Sequence, residues 1–316
     1  MRAYVLNRAG DQPRHADIPD PEPGPGEVLV RVHATSVNPH DTHVASGSAA
    51  QYMTYEYPVV LGSDLSGVVE RIGPDVSGFA VGDRVFGLVR EFVAHKGSFA
   101  ELVAVSQDTI APQPDGLDDL SAAALGLAAV SAIRCLDAVQ LTAGDVLLVN
   151  GATGGVGSYV IQIASSLGAT VVASARPGDA AQHARKLGAA STVDWTTGDM
   201  ADAVRTLHPD GVTALIDLVN FEAPAFTRLA TAVMGSGGRA ASTLSAAADV
   251  IPGISTTNVL VTADRPVLTR IAELVTTGAV TAPVTSVHDF DHLDIAIDQL
   301  AHGAVGKIAV TMSARV

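Results

Sequence analysis

Leu147-Leu148-Val149-Asn150-Gly151-Ala152-Thr153-Gly154-Gly155-Val156-Gly157 is the stretch of this 316-residue chain that decides its fold. The apolar run 147–149 reads as a buried strand, and the small residues after it turn the chain sharply into a helix. A pyrophosphate needs that arrangement. Small residues let the backbone approach it, and the free N–H groups at the helix start offer hydrogen bonds and a favourable dipole. In the template G-x-G-x-x-G, Ala152 takes the place of the first glycine, and Gly154 and Gly157 supply the second and third. Gly-rich turns also serve plain packing, so context carries the reading. Gly151, Ala152, Thr153, Gly154, Gly155, Val156 and Gly157 follow a strand, open a helix, and precede the end of a second strand by about 20 residues.

That second strand ends Val171-Val172-Ala173-Ser174-Ala175-Arg176. A site for NAD usually places Asp or Glu there to bind the ribose 2′-hydroxyl. Here the position is held by Ala175, which removes repulsion of a 2′-phosphate. Arg176 supplies a fork of donors suited to that group, and Ser174 a further hydroxyl. NADPH is the expected cofactor; the other reading of Arg176 is a solvated loop residue.

From about residue 117 onward, Ala-rich helical segments alternate with Val/Ile-rich strands, the pattern of a parallel sheet with covering helices. Ser121 reads as the cap of a helix through about Leu136. Further helices are expected over 156–167, 179–187 and 222–233, from about Pro266 through Thr276, and strands over 145–150, 170–175, 213–219 and 239–242. Before residue 117, short β-type runs at 28–33, 66–72, 84–88 and 99–105 are punctuated by Pro and Gly. The last strand, Lys307 to Met312, is expected to rejoin this first part. The expected division is therefore 1–117, 118–258 and 259–316, the third segment completing the first.

Composition narrows the function classes. A formal net charge of −14 disfavours a polyphosphate partner, so no nucleic-acid binding is expected. Apolar stretches such as 122–132 are too short for a membrane span, and the N-terminus lacks a secretory pattern; a cytoplasmic location is expected. The single cysteine, Cys135, cannot form an internal disulfide and reads as a buried inert thiol.

Six ordered segments carry a resemblance that covers nearly the whole chain: 30–41 with Asn38-Pro39-His40-Asp41, Leu61-Gly62-Ser63-Asp64-Leu65-Ser66-Gly67, Val81-Gly82-Asp83-Arg84-Val85, Gly97-Ser98-Phe99-Ala100-Glu101, the loop 152–157 with Gln162 to Ala164 after it, and Gly306-Lys307-Ile308. In these the chain resembles the zinc-independent quinone oxidoreductase branch of the medium-chain dehydrogenase/reductase superfamily. The resemblance implies an α/β fold: a Rossmann dinucleotide-binding domain plus a GroES-like, mainly β catalytic domain split in sequence, with the active site in the cleft. It also implies a homodimer or a dimer of dimers. Asn38 and Ser131 are then expected beside the nicotinamide, Trp195 against the adenine, and Val219, Leu244 and Lys307 along the cofactor. Asn38 also reads as the organiser of an Asn-Pro turn, and Trp195 as a core residue.

Related alcohol dehydrogenases hold catalytic zinc on Cys, His and Cys. The resemblance puts Asn38, Ser63 and Leu127 at those positions, and neither an amide, a hydroxyl nor an isobutyl group replaces thiolate or imidazole there. No metal is expected, although His40-Asp41-Thr42-His43 has a spacing that could hold a divalent ion. Without a Lewis acid, hydride transfer from NADPH to a quinone or an α,β-unsaturated carbonyl fits better than alcohol oxidation. Tyr52, Tyr55 and Tyr57 precede the Pro58–Gly62 segment. Tyr52 is the candidate to stack on a planar acceptor or donate a proton, with ordinary packing the other reading. Ala45 stands where the family commonly has arginine, and the 47–58 stretch is longer. An enone or enoyl reductase, and a cofactor-binding structural or regulatory protein with little turnover, are the alternatives to a quinone reductase.

Overall fold

A parallel six-stranded sheet occupies the middle of the chain, in the spatial order Ser191–Val193, Thr170–Ser174, Val146–Asn150, Val212–Asp217, Met234–Ser242, Ile254–Asn258. The computed structural model describes residues 1–312 apart from 90, 92, 197–199, 248–249 and 263. Leu147 to Val149 and Val171 to Ala173 are fully buried, as strands covered on both faces require. Helices Gly155–Ser166, Asp179–Lys186, Met200–Leu207 and Ala223–Val233 connect the strands. The chain steps from Val146–Asn150 first to one side of the sheet and then, at Val212–Asp217, to the other. The carboxyl end of Val146–Asn150 is thus the point where strand order reverses, which is where open α/β sheets bind ligands.

This sheet belongs to a compact unit of residues 128–261; the other unit comprises 1–127 and 262–316. Each dividing point falls later than the sequence suggests, by the greatest margin at the first. Helix Asp119–Ala124 is the cause, because it is tied to the β-rich unit: Ser66 Oγ donates to the Asp119 carbonyl, and the Asp119 carboxylate meets Arg84 and His33.

In the β-rich unit, strand Glu27–Ser36 is the hub. It pairs antiparallel with Asp64–Ile72, with Leu102–Ser106 and, at Ala34 to Ser36, with the terminal strand Lys307–Thr311. Val28, Val30 and Val32 alternate into one core with Leu65, Val69, Val85, Val103 and Ile110, while Leu29 on the opposite face packs with Leu102 and Ala104. A second core joins Leu6, Val37, Leu61 and Phe99 to Leu293, Ile308 and Val310 from the end of the chain.

The helix expected from Ser121 through Leu136 is instead two helices, Asp119–Ala124 and Leu127–Ala138. Asp118, not Ser121, is the cap, its carboxylate accepting the Ser121 N–H at 2.8 Å. The break has a physical reason. A side chain at Gly126 would run into the Asp64 carboxylate, and the freed Leu127 N–H donates to Asp64 Oδ1 at 2.6 Å. Among the described residues no helix is long and apolar enough to cross a membrane.

Candidate active site

The turn after Val146–Asn150 is held from inside. Gly151 has φ +86°, a conformation that disfavours any side chain, and its N–H donates to Ser174 Oγ at 2.9 Å. Ser174 Oγ in turn donates to Asn150 Oδ1, and Asn150 Nδ2 to Asp217 Oδ1 at 3.0 Å. Ser174 is 3% exposed, so its hydroxyl is engaged in shaping the loop and is not presented as a further donor to a 2′-phosphate. Gly157 is buried where a methyl group would strike the backbone of Gly151 and Ala152. Gly154 has open space: a methyl group there would find only the Gly151 carbonyl oxygen, 3.7 Å away. Thr153 to Val156 are half-buried, and Ala152 is fully buried beneath them. The first turn of the helix leaves the amides of Gly155, Val156 and Gly157 without intrahelical acceptors. A small, partly open cradle lined by backbone N–H groups fits a pyrophosphate.

Arg176 is exposed at the strand end, and its guanidinium lies 5.6 Å from the centre of the Trp195 ring. Trp195 is 53% exposed, which removes the core reading. Val219 is 48% exposed just beyond Val212–Asp217, and its N–H donates to Asp217 Oδ1. Leu244 is half-buried beyond Met234–Ser242, its N–H bonded to Ser242 Oγ. Loop 150–157, Arg176, Trp195, Val219 and Leu244 thus follow carboxyl ends of neighbouring parallel strands. Ser131 lies in helix Leu127–Ala138, 4% exposed.

In the β-rich unit a buried polar cluster surrounds Asn38. Its Nδ2 donates to Asp64 Oδ2 at 2.9 Å, and its Oδ1 accepts from Lys307 Nζ at 2.7 Å. Lys307 Nζ also donates to Asp64 Oδ2 at 3.1 Å, with the two side chains 3% and 0% exposed. A buried lysine requires such a partner. Asp64 receives four donors: Ser36 Oγ, Asn38 Nδ2, Lys307 Nζ and the Leu127 N–H. Asp41 receives two, the Asn38 N–H and Ser63 Oγ, each at 2.8 Å. Burial first, and the neighbouring Asp64 carboxylate second, push the Asp41 carboxyl up to about 7 against the smaller opposing effects of Ser63, Asn38 and Lys307.

Asn38 does organise the turn: it precedes helix Pro39–Ser46, and Asp41 closes back onto its N–H. Its amide is nevertheless committed on both atoms to Lys307 and Asp64. A pocket in this unit is lined by Asp41 and Ser63 together with His40, Met53, Val89 and Lys96. Tyr52 is 46% exposed and stacks on His40 with 6.5 Å between ring centres; Tyr55 donates its hydroxyl to the Val44 carbonyl. Asn38 and Lys307 are expected site residues in the sequence reading, whereas Asp41 figures there only within the His40–His43 spacing, Ser63 only as a failed metal ligand, and Asp64 has no role. Carboxylates inside otherwise apolar or small-residue runs were the available signal.

The donor set does not fit zinc. Asn38 and Ser63 present no thiolate or imidazole, both Asn38 amide atoms are already bonded, and Ser63 is committed to Asp41. Among the described residues no three His, Cys, Asp or Glu side chains gather as a metal site, His40 and His43 included. Cys135 is buried, and burial raises its thiol to about 12.

Residues 24–115 match the alcohol dehydrogenase GroES-like domain model and residues 155–263 the zinc-binding dehydrogenase model. A solved structure titled NAD-dependent alcohol dehydrogenase superposes with a TM-score of 0.88 and 30% identity, covering 99% of this chain and 100% of that one. The chain belongs to the medium-chain dehydrogenase/reductase superfamily. Among its relatives, quinone oxidoreductase of Rattus norvegicus is 34% identical over 206 residues, 65% of this chain and 61% of that protein. The 2-haloacrylate reductase of a Burkholderia species is 34% identical over 186 residues, 58% of this chain and 55% of that one. The chain thus spans less than two thirds of these curated relatives. The fold is α/β, a GroES-like domain combined with a Rossmann-like one, as superfamily membership requires.

Proposed function

We propose that this chain is a zinc-independent oxidoreductase that prefers NADPH and reduces a quinone or a similar electron-poor carbonyl acceptor. The observation that carries the cofactor choice is the end of strand Thr170–Ser174. No carboxylate stands at Ala175, and the exposed Arg176 guanidinium lies over the face of Trp195. Loop 151–157 would hold the pyrophosphate, Arg176 the 2′-phosphate, and Trp195 the adenine. When bound, the nicotinamide supplies hydride. The residues of this chain orient the acceptor, keep water from it and supply the proton that must accompany hydride. The resemblance assigns Asn38 and Ser131 to the nicotinamide and sets Val219, Leu244 and Lys307 along the cofactor. The donor chemistry around Asn38 supports a reaction without zinc, and the rat relative supports a quinone as acceptor.

One observation favours a second reading, reduction of an α,β-unsaturated acid or carbonyl: the relative named as a 2-haloacrylate reductase. An acceptor screen that follows NADPH absorbance separates the two. Turnover of benzoquinones supports the first, turnover of alkenals or acrylates the second, and tight NADPH binding without turnover of either refutes both. A homodimer or dimer of dimers is the proposed assembly, checked by light scattering.

A further inference from the structure

Hydride addition to a carbonyl-type acceptor leaves negative charge on an oxygen, and a positioned acid speeds its protonation. The β-rich unit contains two buried carboxyl groups and one buried ammonium. Lys307 pairs directly with Asp64, which also takes three further donors, whereas among the described residues Asp41 has no cation in hydrogen-bond contact and two donors. The less stabilised carboxylate is the one that takes up a proton. Asp41 and its partner Ser63 both line the pocket, while Tyr52 does not; Lys96, which also lines it, is paired with Glu27 at 2.5 Å.

Resting on the reductase reading above, we propose that Ser63 and Asp41 deliver the proton to the reduced acceptor, with Ser63 touching its oxygen and Asp41 holding the proton behind Ser63. With Asp41 protonated, its O–H donates to Ser63 Oγ, and the Ser63 hydrogen is free to turn into the pocket. The acceptor receives two electrons and a proton as hydride from the reduced nicotinamide, and its anionic oxygen takes the Ser63 proton. The Ser63 O–H bond breaks as the product O–H forms, and Ser63 is reprotonated by Asp41. Asp41 is left as a carboxylate accepting from Ser63, the arrangement seen here, and recovers its proton from solvent water. Ser63 is then a catalytic residue and Asp41 a positioning and proton-holding one. Burial raises Asp41 to about 7, a suitable value for an acid that must reload near neutral pH. Among the described residues the charged groups that bear on Asp41 are Asp64 and Lys307 from within the cluster; His40, Glu91 and Lys96 share the pocket wall.

The test uses the full chain as wild type, Asp41→Asn, Ser63→Ala and Ser63→Thr. Infrared spectra of the cofactor-free protein should show a protonated-carboxyl band that disappears as pH passes about 7 and is missing in Asp41→Asn. With NADPH and 1,4-benzoquinone, wild-type kcat should fall above that pH with a solvent deuterium isotope effect. Ser63→Ala should lose about 100-fold in kcat, the ordinary scale of acid catalysis, and Ser63→Thr should restore most of it. A wild type with no titrating carboxyl band, or Ser63→Ala with unchanged kcat and pH profile, overturns the proton route while leaving the reductase reading standing. A folded wild type that binds NADPH and reduces neither benzoquinones nor enones overturns both.

Discussion

Two glycines three residues apart should fail in different ways when each gains one methyl group. Gly157 lies inside the first turn of its helix, where a Cβ would come within 2.6 Å of Ala152 Cα and carbonyl carbon. That contact is with backbone, so no side-chain rotation relieves it. Overpacking of this kind costs about 1–3 kcal/mol, against which a helical Gly→Ala change returns up to about 1 kcal/mol. Gly157→Ala should therefore lose about 1–2 kcal/mol and melt several degrees lower. Gly154 precedes the helix at φ −75°, which alanine adopts freely, and its Cβ would touch nothing closer than 3.7 Å. Its stability should change by only a few tenths of a kcal/mol, since the entropy gained by removing a glycine roughly offsets the poorer cap. The new methyl would occupy space that a pyrophosphate needs. An intrusion of about 1–3 kcal/mol there corresponds to roughly 10- to 100-fold in Kd. Thermal melts and calorimetric NADPH titrations of both variants decide the matter. Wild-type NADPH affinity in Gly154→Ala would refute the assignment of this loop to the nucleotide, and equal melting losses in both would refute the steric argument.

Arg176→Ala should weaken NADPH about 10- to 100-fold, as expected for a lost charge-assisted hydrogen bond, and leave NADH nearly unchanged; equal losses in calorimetry would show that Arg176 does not contact the 2′-phosphate. The raised Asp41 makes stability depend on pH in a defined direction. The folded chain holds this proton more tightly than the unfolded chain, whose carboxyl has the ordinary value near 3.8, so the contribution is complete below about pH 4 and lost as pH rises through about 7. A shift of this size is worth roughly 4 kcal/mol, so urea midpoints should show Asp41→Asn gaining on wild type between those limits; a difference flat with pH would mean that Asp41 is already ionised when folded. Metal analysis of the purified chain should find zinc well below one per chain, and EDTA should leave turnover unchanged; stoichiometric zinc would overturn the donor-set argument.

The strand–turn–helix around residues 151–157 is legible in the sequence because its requirements are local: a strand, a tight turn and a helix start lie within eleven consecutive residues. Other features depend on distant partners. The helix expected from Ser121 is broken at Gly126 because Asp64, on another strand, occupies the space and takes the Leu127 N–H. Ser174 reads as a cofactor hydroxyl until its bonds to Asn150 and Gly151 are seen. Strand Ile254–Asn258 is half exposed and polar, so it lacks the apolar run on which a sequence reading rests, whereas helix Met200–Leu207 is only eight residues long but does carry Met200, Ala203, Val204 and Leu207 at helical spacing, a signal the sequence reading passed over.

The Asn38 cluster illustrates why motif and mechanism are separate questions. Lys307 sits in an apolar strand, and lysine is rarely buried without a carboxylate, so the Lys307-Ile308-Ala309-Val310 run by itself demands an acid from elsewhere in the chain. Asp64 answers that demand, from a strand that lies beyond the hub strand Glu27–Ser36, so the ion pair spans the hub and Asn38 bridges it. Once Lys307 is committed to Asp64, Asp41 has no equivalent countercharge among the described residues. Its excess charge must be carried at a desolvation cost or neutralised by a proton, and burial favours the proton. The same pairing that commits the amide of Asn38 on both atoms therefore also favours a proton beside Ser63, so one arrangement of charges underlies both the poor fit to zinc and the proposed acid.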